Sequence, residues 1–510
     1  MGSSGRAQIV NDSMPSVDSG FPAPRILELS RFAKPISIRD QILRASTVAR
    51  AVPSDWLDGE VVVIGAGVAG LVFASCVLEQ AERARVTVIE REPNAVYRQA
   101  KASSRSIDPF QYDWPAPHWN IDPESIKFPM APIRQRADEF AKLWRRSLIR
   151  LHSRYGSRLE VRYLQEFLGA SPRVDGKIIA FIKNMGEVSG VDRRGELEAD
   201  LLVLARGSGA EFNCVHQGHG GSFPGVLRRG EEKDPANHFV GRTFWEYDNL
   251  HQLKGKRIYI SGGGDGALQD FIRATAGVLC AGDVISALPV EVQNFLQSSL
   301  QGECLHYDRL WASGRADDFS RAVDHLEYRM QTLIEMIPDF GELDSILRRR
   351  RNEVVIGHPG CMFSPCYHIN RIAALLVLHR SKSARRGGTR TSRLRHVKLR
   401  DVRSDGMGHV CRHSGRECSR FRHKVVVDQL SESAKPGLWH GWHGESRRMK
   451  RSDFDRIIIR HGNSFSANEN ETSREIRQLL PYCQDLPQDE EAKFEKEFWR
   501  LQPGYALGAG

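Results

Sequence analysis

The chain has no run of eighteen or more apolar residues, so nothing in its 510 residues has the length to cross a bilayer as an apolar helix. It also lacks a Cys-x-x-Cys pair. A disulfide reductase needs neighbouring thiols, one to form the mixed disulfide and one to resolve it, so that chemistry is disfavoured. The nine cysteines follow no regular spacing, which fits a reducing cytoplasm better than a stapled secreted domain. There is no G-x-S-x-G elbow around Ser261, no Walker A loop, no H-E-x-x-H and no paired-carboxylate pattern. Met1 to Ser30 is rich in Ser, Gly and Pro and has no signal-peptide apolar core, so residues 1–56 are expected to be a largely disordered leader.

What remains is ordinary globular composition, 40% hydrophobic and 27% charged, in a chain long enough for two or more domains. The net charge of +10 is uneven. Ten Lys and Arg lie between Arg380 and Arg403, with Asp401 the one acid among them. Such a stretch reads either as a site for nucleic acid or another polyanion, or as a solvated insertion. It carries no interleaved aromatics for base stacking, which favours a basic insertion over 380–424 and no nucleic-acid partner.

The strongest local pattern begins at Glu60. Glu60 to Ile64 is a β-branched run that reads as a buried parallel strand. Leu71 to Ala81 carries helix formers, and Arg85 to Glu90 is a second strand. Between strand and helix lies Gly65-Ala66-Gly67-Val68-Ala69-Gly70. In a G-x-G-x-x-G turn the first glycine allows the tight bend, the second lets a pyrophosphate approach the backbone, and the third lets helix and strand pack closely. The helix start then offers N–H groups and a positive dipole end to the phosphates. Glu90, followed by Arg91, stands where an acid accepts hydrogen bonds from ribose hydroxyls. These residues are the expected site for an adenine dinucleotide.

A second turn, Gly262-Gly263-Gly264-Asp265-Gly266-Ala267, follows the strand Lys256 to Ser261 and precedes a helix through Thr275. Gly262, Gly264, Asp265 and Ala267 are its expected contacts to a nicotinamide dinucleotide. Asp283 to Leu288 is the expected second strand of that unit. The stretch at its end (Ser286, Ala287, Leu288) supplies neither an acid for a 2′-hydroxyl nor an arginine for a 2′-phosphate.

On these motifs the chain resembles the two-dinucleotide flavoproteins, above all the flavin-dependent monooxygenases and N-hydroxylases, and more distantly thioredoxin reductase. Asp200 to Gly207 (DLLVLARG) is similar to the family strand that ends beside the flavin, which implicates Ala205 and Gly207. Phe239-x-Gly241 with Trp245 resembles a motif that precedes the second glycine turn, and Tyr367-His368-Ile369-Asn370-Arg371 resembles the N-hydroxylase helix start near the cofactors. The resemblance implies an FAD-dependent oxidoreductase, reduced by NADPH or NADH, with monooxygenation of a small molecule as the family activity. Arg206 replaces the usual threonine, Trp245 stands for the motif histidine, and no paired glycines follow Glu90. Those departures motivate the alternative of a nucleotide-binding or regulatory protein on the same scaffold that no longer turns over.

The expected fold is α/β: a Rossmann-type FAD-binding domain over 57–240 and 350–465, with an inserted second Rossmann-like NAD(P)-binding domain over 245–345. A C-terminal tail covers 466–510. Three further clusters have open readings. Tyr112, Asp113, Trp114, His118 and Trp119 form a loop that either reaches the flavin or packs for stability. His358, Cys361, Cys366 and His368, and separately His409, Cys411, His413, Cys418 and His423, suggest metal sites but lack zinc-like spacing, so no metal is expected. His440 and His443 have no carboxylate at a recognisable offset.

Overall fold

A computed structural model describes residues 25–29, 38–108, 114–115, 134–185, 194–207, 211, 213–216, 238–312, 316–364, 366–383, 388–404, 423–429 and 447–461. Two α/β units follow one another, each built in three layers around a parallel sheet.

The first sheet runs in the order Ile26–Glu28, Leu201–Leu204, Glu60–Ile64, Arg85–Ile89, Leu159–Arg162, all parallel. Alternation along its central strand sorts side chains to two cores. Val61 and Val63 face helices Ile38–Ala51, Val68–Gln80 and Ala137–Tyr155. Val62 and Ile64 face an antiparallel meander, Gln165–Pro172, Ile178–Asn184 and Arg194–Ala199. With both faces covered, the strand needs a continuous apolar run, and Val61-Val62-Val63-Ile64 supplies it.

The second unit repeats the plan. Its parallel sheet runs Arg390–Leu394, Glu353–Gly357, Arg257–Ser261, Arg456–Ile459. Ile258 and Ile260 face the helical layer. Tyr259 faces an antiparallel sheet of Val397–Ser404, His423–Gln429 and Arg447–Phe454.

Four expectations change. The strands beyond residue 350 do not return to the first sheet; 353–357, 390–394 and 456–459 all pair with the strand that leads into the second turn or with its neighbour. The first sheet is completed instead by Ile26–Glu28, from the stretch expected to be leader. Asp283 to Leu288 is no strand, because Ala281–Ser286 is helical. Among its described residues the basic stretch is largely sheet: Val397, Leu399 and Val402 are buried at near-alternate positions, and three of its arginines have internal partners, Arg380 on Asp344, Arg393 on Glu327 and Arg400 on Asp428. Residues 405–422, with His409, Cys411, His413 and Cys418, lie outside the described residues, as do His440, His443 and the tail 466–510.

Candidate functional site

The first glycine turn joins strand 60–64 to helix 68–80. Gly65 has φ 112°, a left-handed conformation that favours glycine, and its N–H donates to the Ile89 carbonyl at 2.7 Å. A Cβ at Gly65 would collide with the Ala205 carbonyl, and one at Gly70 with the Gly65 carbonyl. Those two glycines are demanded by the protein's own packing. Gly67 is different: it caps the helix, and an added Cβ would have no atom within 4 Å. The packing of the chain itself does not require Gly67 to be glycine.

Val68, Ala69 and Gly70 form the first turn of that helix, where N–H groups have no intrahelical acceptor. Ala66 is fully buried and its N–H donates to Glu90 Oε2 at 2.7 Å, while the Glu92 N–H donates to Glu90 Oε1 at 2.9 Å. Burial pushes the Glu90 carboxyl above its ordinary range, and these two N–H groups oppose that shift. Each oxygen keeps capacity to accept a second hydrogen bond, as a sugar hydroxyl requires. Arg91 is exposed and lies 3.7 Å from Glu92. Ala205 backs the turn, and Gly207, with φ 76°, is exposed beside it.

The second turn reproduces this geometry residue for residue. Gly262 has φ 134° and donates to the Gly357 carbonyl at 2.9 Å. A Cβ on it would collide with the Arg460 carbonyl, as one on Gly65 would with Ala205. Gly264 caps helix Asp265–Ala276, and again nothing lies within 4 Å of an added Cβ. Ala267, fully buried, takes the place of Gly70.

The pairing register identifies the residue that corresponds to Glu90. Ile64 pairs with Ile89, one residue before Glu90; Ser261 pairs with Gly357, one residue before His358. His358 therefore stands in the register of Glu90, and not the 286–288 stretch expected from a short crossover. Five helices separate strand 257–261 from its neighbour, from Asp265–Ala276 to Leu343–Arg350. The apolar run Glu353 to Ile356 with a polar residue just beyond was the available signal, hidden by that length.

His358 is buried, and its Nε2 accepts from Arg393 Nε at 2.9 Å. Burial, and next the Arg393 charge, hold its pKa well below the ordinary histidine value, so the ring is neutral at pH 7. The turn at 394–397 brackets it: the His358 N–H donates to the Leu394 carbonyl and the Val397 N–H to the His358 carbonyl, at 3.1 and 3.0 Å. Arg395, exposed, and His396 lie in that turn.

Asp265, expected at the cofactor, has internal partners for its side chain. Its buried carboxylate accepts from the Tyr367 N–H at 2.8 Å and from Asn370 Nδ2 at 2.7 Å, and burial pushes its pKa up to about 6. It anchors helix His368–Ser383 on the second turn, which accounts for the Asn-containing helix start. Among the described residues no three His, Cys, Asp or Glu side chains converge on a metal position. Cys361 Sγ contacts Asp324 at 3.5 Å, and the buried Cys366 thiol is pushed up to about 12 by desolvation. Trp114 is buried among the helices of the second unit, which favours the packing reading of its loop, and Trp245 packs against the core of the first. Tyr112, Asp113, His118 and Trp119 lie outside the described residues.

No family model and no curated protein matches the chain. Solved structures do. They include thioredoxin reductase of Lactococcus lactis in its FR conformation, at 12% identity over 79% of this chain and 77% of that one, TM-score 0.34. DfoA of Erwinia amylovora, a cadaverine monooxygenase bound to FAD, matches at 13% identity over 80% and 78%, TM-score 0.39. KtzI of Kutzneria sp. 744, an ornithine N-hydroxylase with reduced FAD, NADP+ and L-ornithine, matches at 13% over 78% and 79%, TM-score 0.36.

Proposed function

We propose that the chain is an FAD-dependent oxidoreductase whose flavin is reduced by a nicotinamide dinucleotide bound at the second turn. One observation carries the reading: two equivalent strand–turn–helix sites in one chain, each with a capping glycine, Gly67 or Gly264, that the protein's own packing does not require. Bound FAD would supply the hydride-accepting chemistry, which belongs to the cofactor. The protein's contribution is to hold and orient. Gly65, Gly67 and Gly70 shape the first diphosphate site, and Glu90, held by the Ala66 and Glu92 N–H groups, receives the ribose.

The second site favours a 2′-phosphorylated dinucleotide, NADPH rather than NADH. A carboxylate at the sugar position would accept from a free 2′-hydroxyl and repel a phosphate; here that position is a neutral histidine flanked by Arg393 and Arg395. Electron delivery to a small molecule, with oxygen as co-substrate, is the finer reading, motivated by the Phe239-x-Gly241 and Asn370 segments.

The test is the visible spectrum of purified protein after incubation with FAD, followed by anaerobic addition of NADPH or NADH. A flavin spectrum that NADPH bleaches faster than NADH supports the proposal. A protein that retains no FAD refutes it, and a yellow protein that neither cofactor reduces removes the nicotinamide half.

A further inference from the structure

The two units meet through buried charge. Arg105, from the first unit, is almost fully buried with its guanidinium 4.0 Å over the Phe244 ring. It donates to both oxygens of Asp270 on helix 265–276, to Asp248 at 3.2 Å and to the Phe244 carbonyl at 2.9 Å. Arg273, one turn along that helix, donates to Asp248 and Asp270 and returns a bond to the Ser104 carbonyl at 3.1 Å. Arg460, at the end of strand 456–459, closes on Asp270 at 2.9 Å and on Glu211 at 3.2 Å. Asp270 thus accepts from Arg105, Arg273 and Arg460 at once, near the acceptor capacity of one carboxylate.

Three guanidiniums and three carboxylates (Asp248, Asp270, Glu211) balance in charge, the condition under which such burial is tolerated. A rotation of the units that mispaired these groups without admitting water would leave uncompensated charge in a partly buried joint, a larger cost than slipping an ordinary polar domain interface. A second contact lies apart from this cluster: Arg134 of the first unit pairs with Asp283 and reaches Cys280 Sγ at 3.2 Å. The tryptophans are exchanged as well, Trp114 into the second core and Trp245 against the first.

We infer that these contacts form a permanent clasp, which fixes one relative orientation of the two units and so makes the spacing of the two glycine turns a property of the folded chain, independent of what either binds. The inference goes beyond the proposed function and does not need it. Chains with two nucleotide sites can instead swing one domain against the other; this clasp forbids that.

A disulfide staple tests it. An added Cβ on Gly282 lies 3.4 Å from Asp108 Oδ2 across the same joint, so Asp108→Cys with Gly282→Cys puts one thiol on each side of it, and thiol titration of the air-oxidised chain reads whether they bridge. In the full chain the bridge is expected to form completely in air. X-ray scattering curves of the oxidised and dithiothreitol-reduced forms are expected to superimpose, with or without FAD and NADPH. If NADPH reduces bound flavin, the rate is expected to be equal in both forms. Flavin reduction lost on oxidation and restored by dithiothreitol would overturn the clasp, as would scattering that differs between stapled and reduced chains. Scattering needs no turnover, so failure of the clasp and failure of the redox reading are distinguishable. Should the double variant not fold, the unsubstituted chain decides: superimposable scattering with and without both nucleotides supports the clasp, and a nucleotide-dependent change overturns it.

Discussion

Replacing Gly67 by alanine separates binding from folding. The backbone there, φ −79° and ψ −173°, suits any residue, and no atom lies within 4 Å of the new methyl. The loss of a glycine cap costs about 1 kcal/mol, which in a unit of this size lowers Tm by about 2–4 °C. The effect on FAD is larger. In the proposed FAD complex the methyl stands where a phosphate would approach the helix N–H groups, and each charge-assisted bond lost is worth about 1.5–3 kcal/mol, so affinity falls by roughly ten- to a hundredfold per bond. Gly65→Ala is the control: at φ 112° and against the Ala205 carbonyl it strains the fold itself, by about 3 kcal/mol or more. Its apoprotein should melt about 6–12 °C lower. Thermal unfolding of the apoproteins and fluorescence titration with FAD measure the two quantities. Unaltered FAD affinity in Gly67→Ala, or equal thermal losses in both variants, would refute the argument.

Asp265 gives a pH prediction. Its folded pKa, about 6, lies above the ordinary aspartate value, so the folded chain holds the proton more tightly; the resulting stability is complete at low pH and is lost as pH rises through about 6. Asp265→Asn should therefore be more stable than the parent at pH 7.5, by up to about 3 kcal/mol, with a gap that shrinks toward pH 4.5 in urea unfolding. Arg395→Ala should raise the KM for NADPH by roughly ten- to a hundredfold, the worth of one charged hydrogen bond, and leave that for NADH nearly unchanged. Equal effects on both would place the 2′-phosphate elsewhere. Trp114→Ala should cost about 3–5 kcal/mol in chemical denaturation, because the ring is buried in the second unit's core.

The first turn was legible because strand, glycines, helix and acid fall within about thirty residues, so each constrains the next. The second turn was legible only as far as its helix. The residue in the register of Glu90, His358, follows a strand far downstream, Glu353–Gly357, and pattern reading assumes the short crossover. The strands 424–427 and 456–459 were legible as short apolar runs, whereas 390–394 and 397–404 were masked by their arginines: Arg393 is buried because Glu327 and His358 receive it, partners that no local spacing announces. Arg105, Asp248 and Asp270 went unseen for the same reason, as their contacts join positions more than a hundred residues apart. The assignment of strands 353–357 and 456–459 to the first domain failed on register, which is a tertiary fact.

The pairing of Ile26–Glu28 with Leu202–Leu204 has a practical consequence. A recombinant fragment trimmed to begin at the obvious strand near residue 60 would bare the hydrogen-bonding edge of an all-apolar strand, Leu201 to Leu204, and invite sticking between molecules. Expression boundaries should therefore start upstream of Arg25, whose carbonyl already binds the Leu202 N–H and whose side chain reaches Asp55.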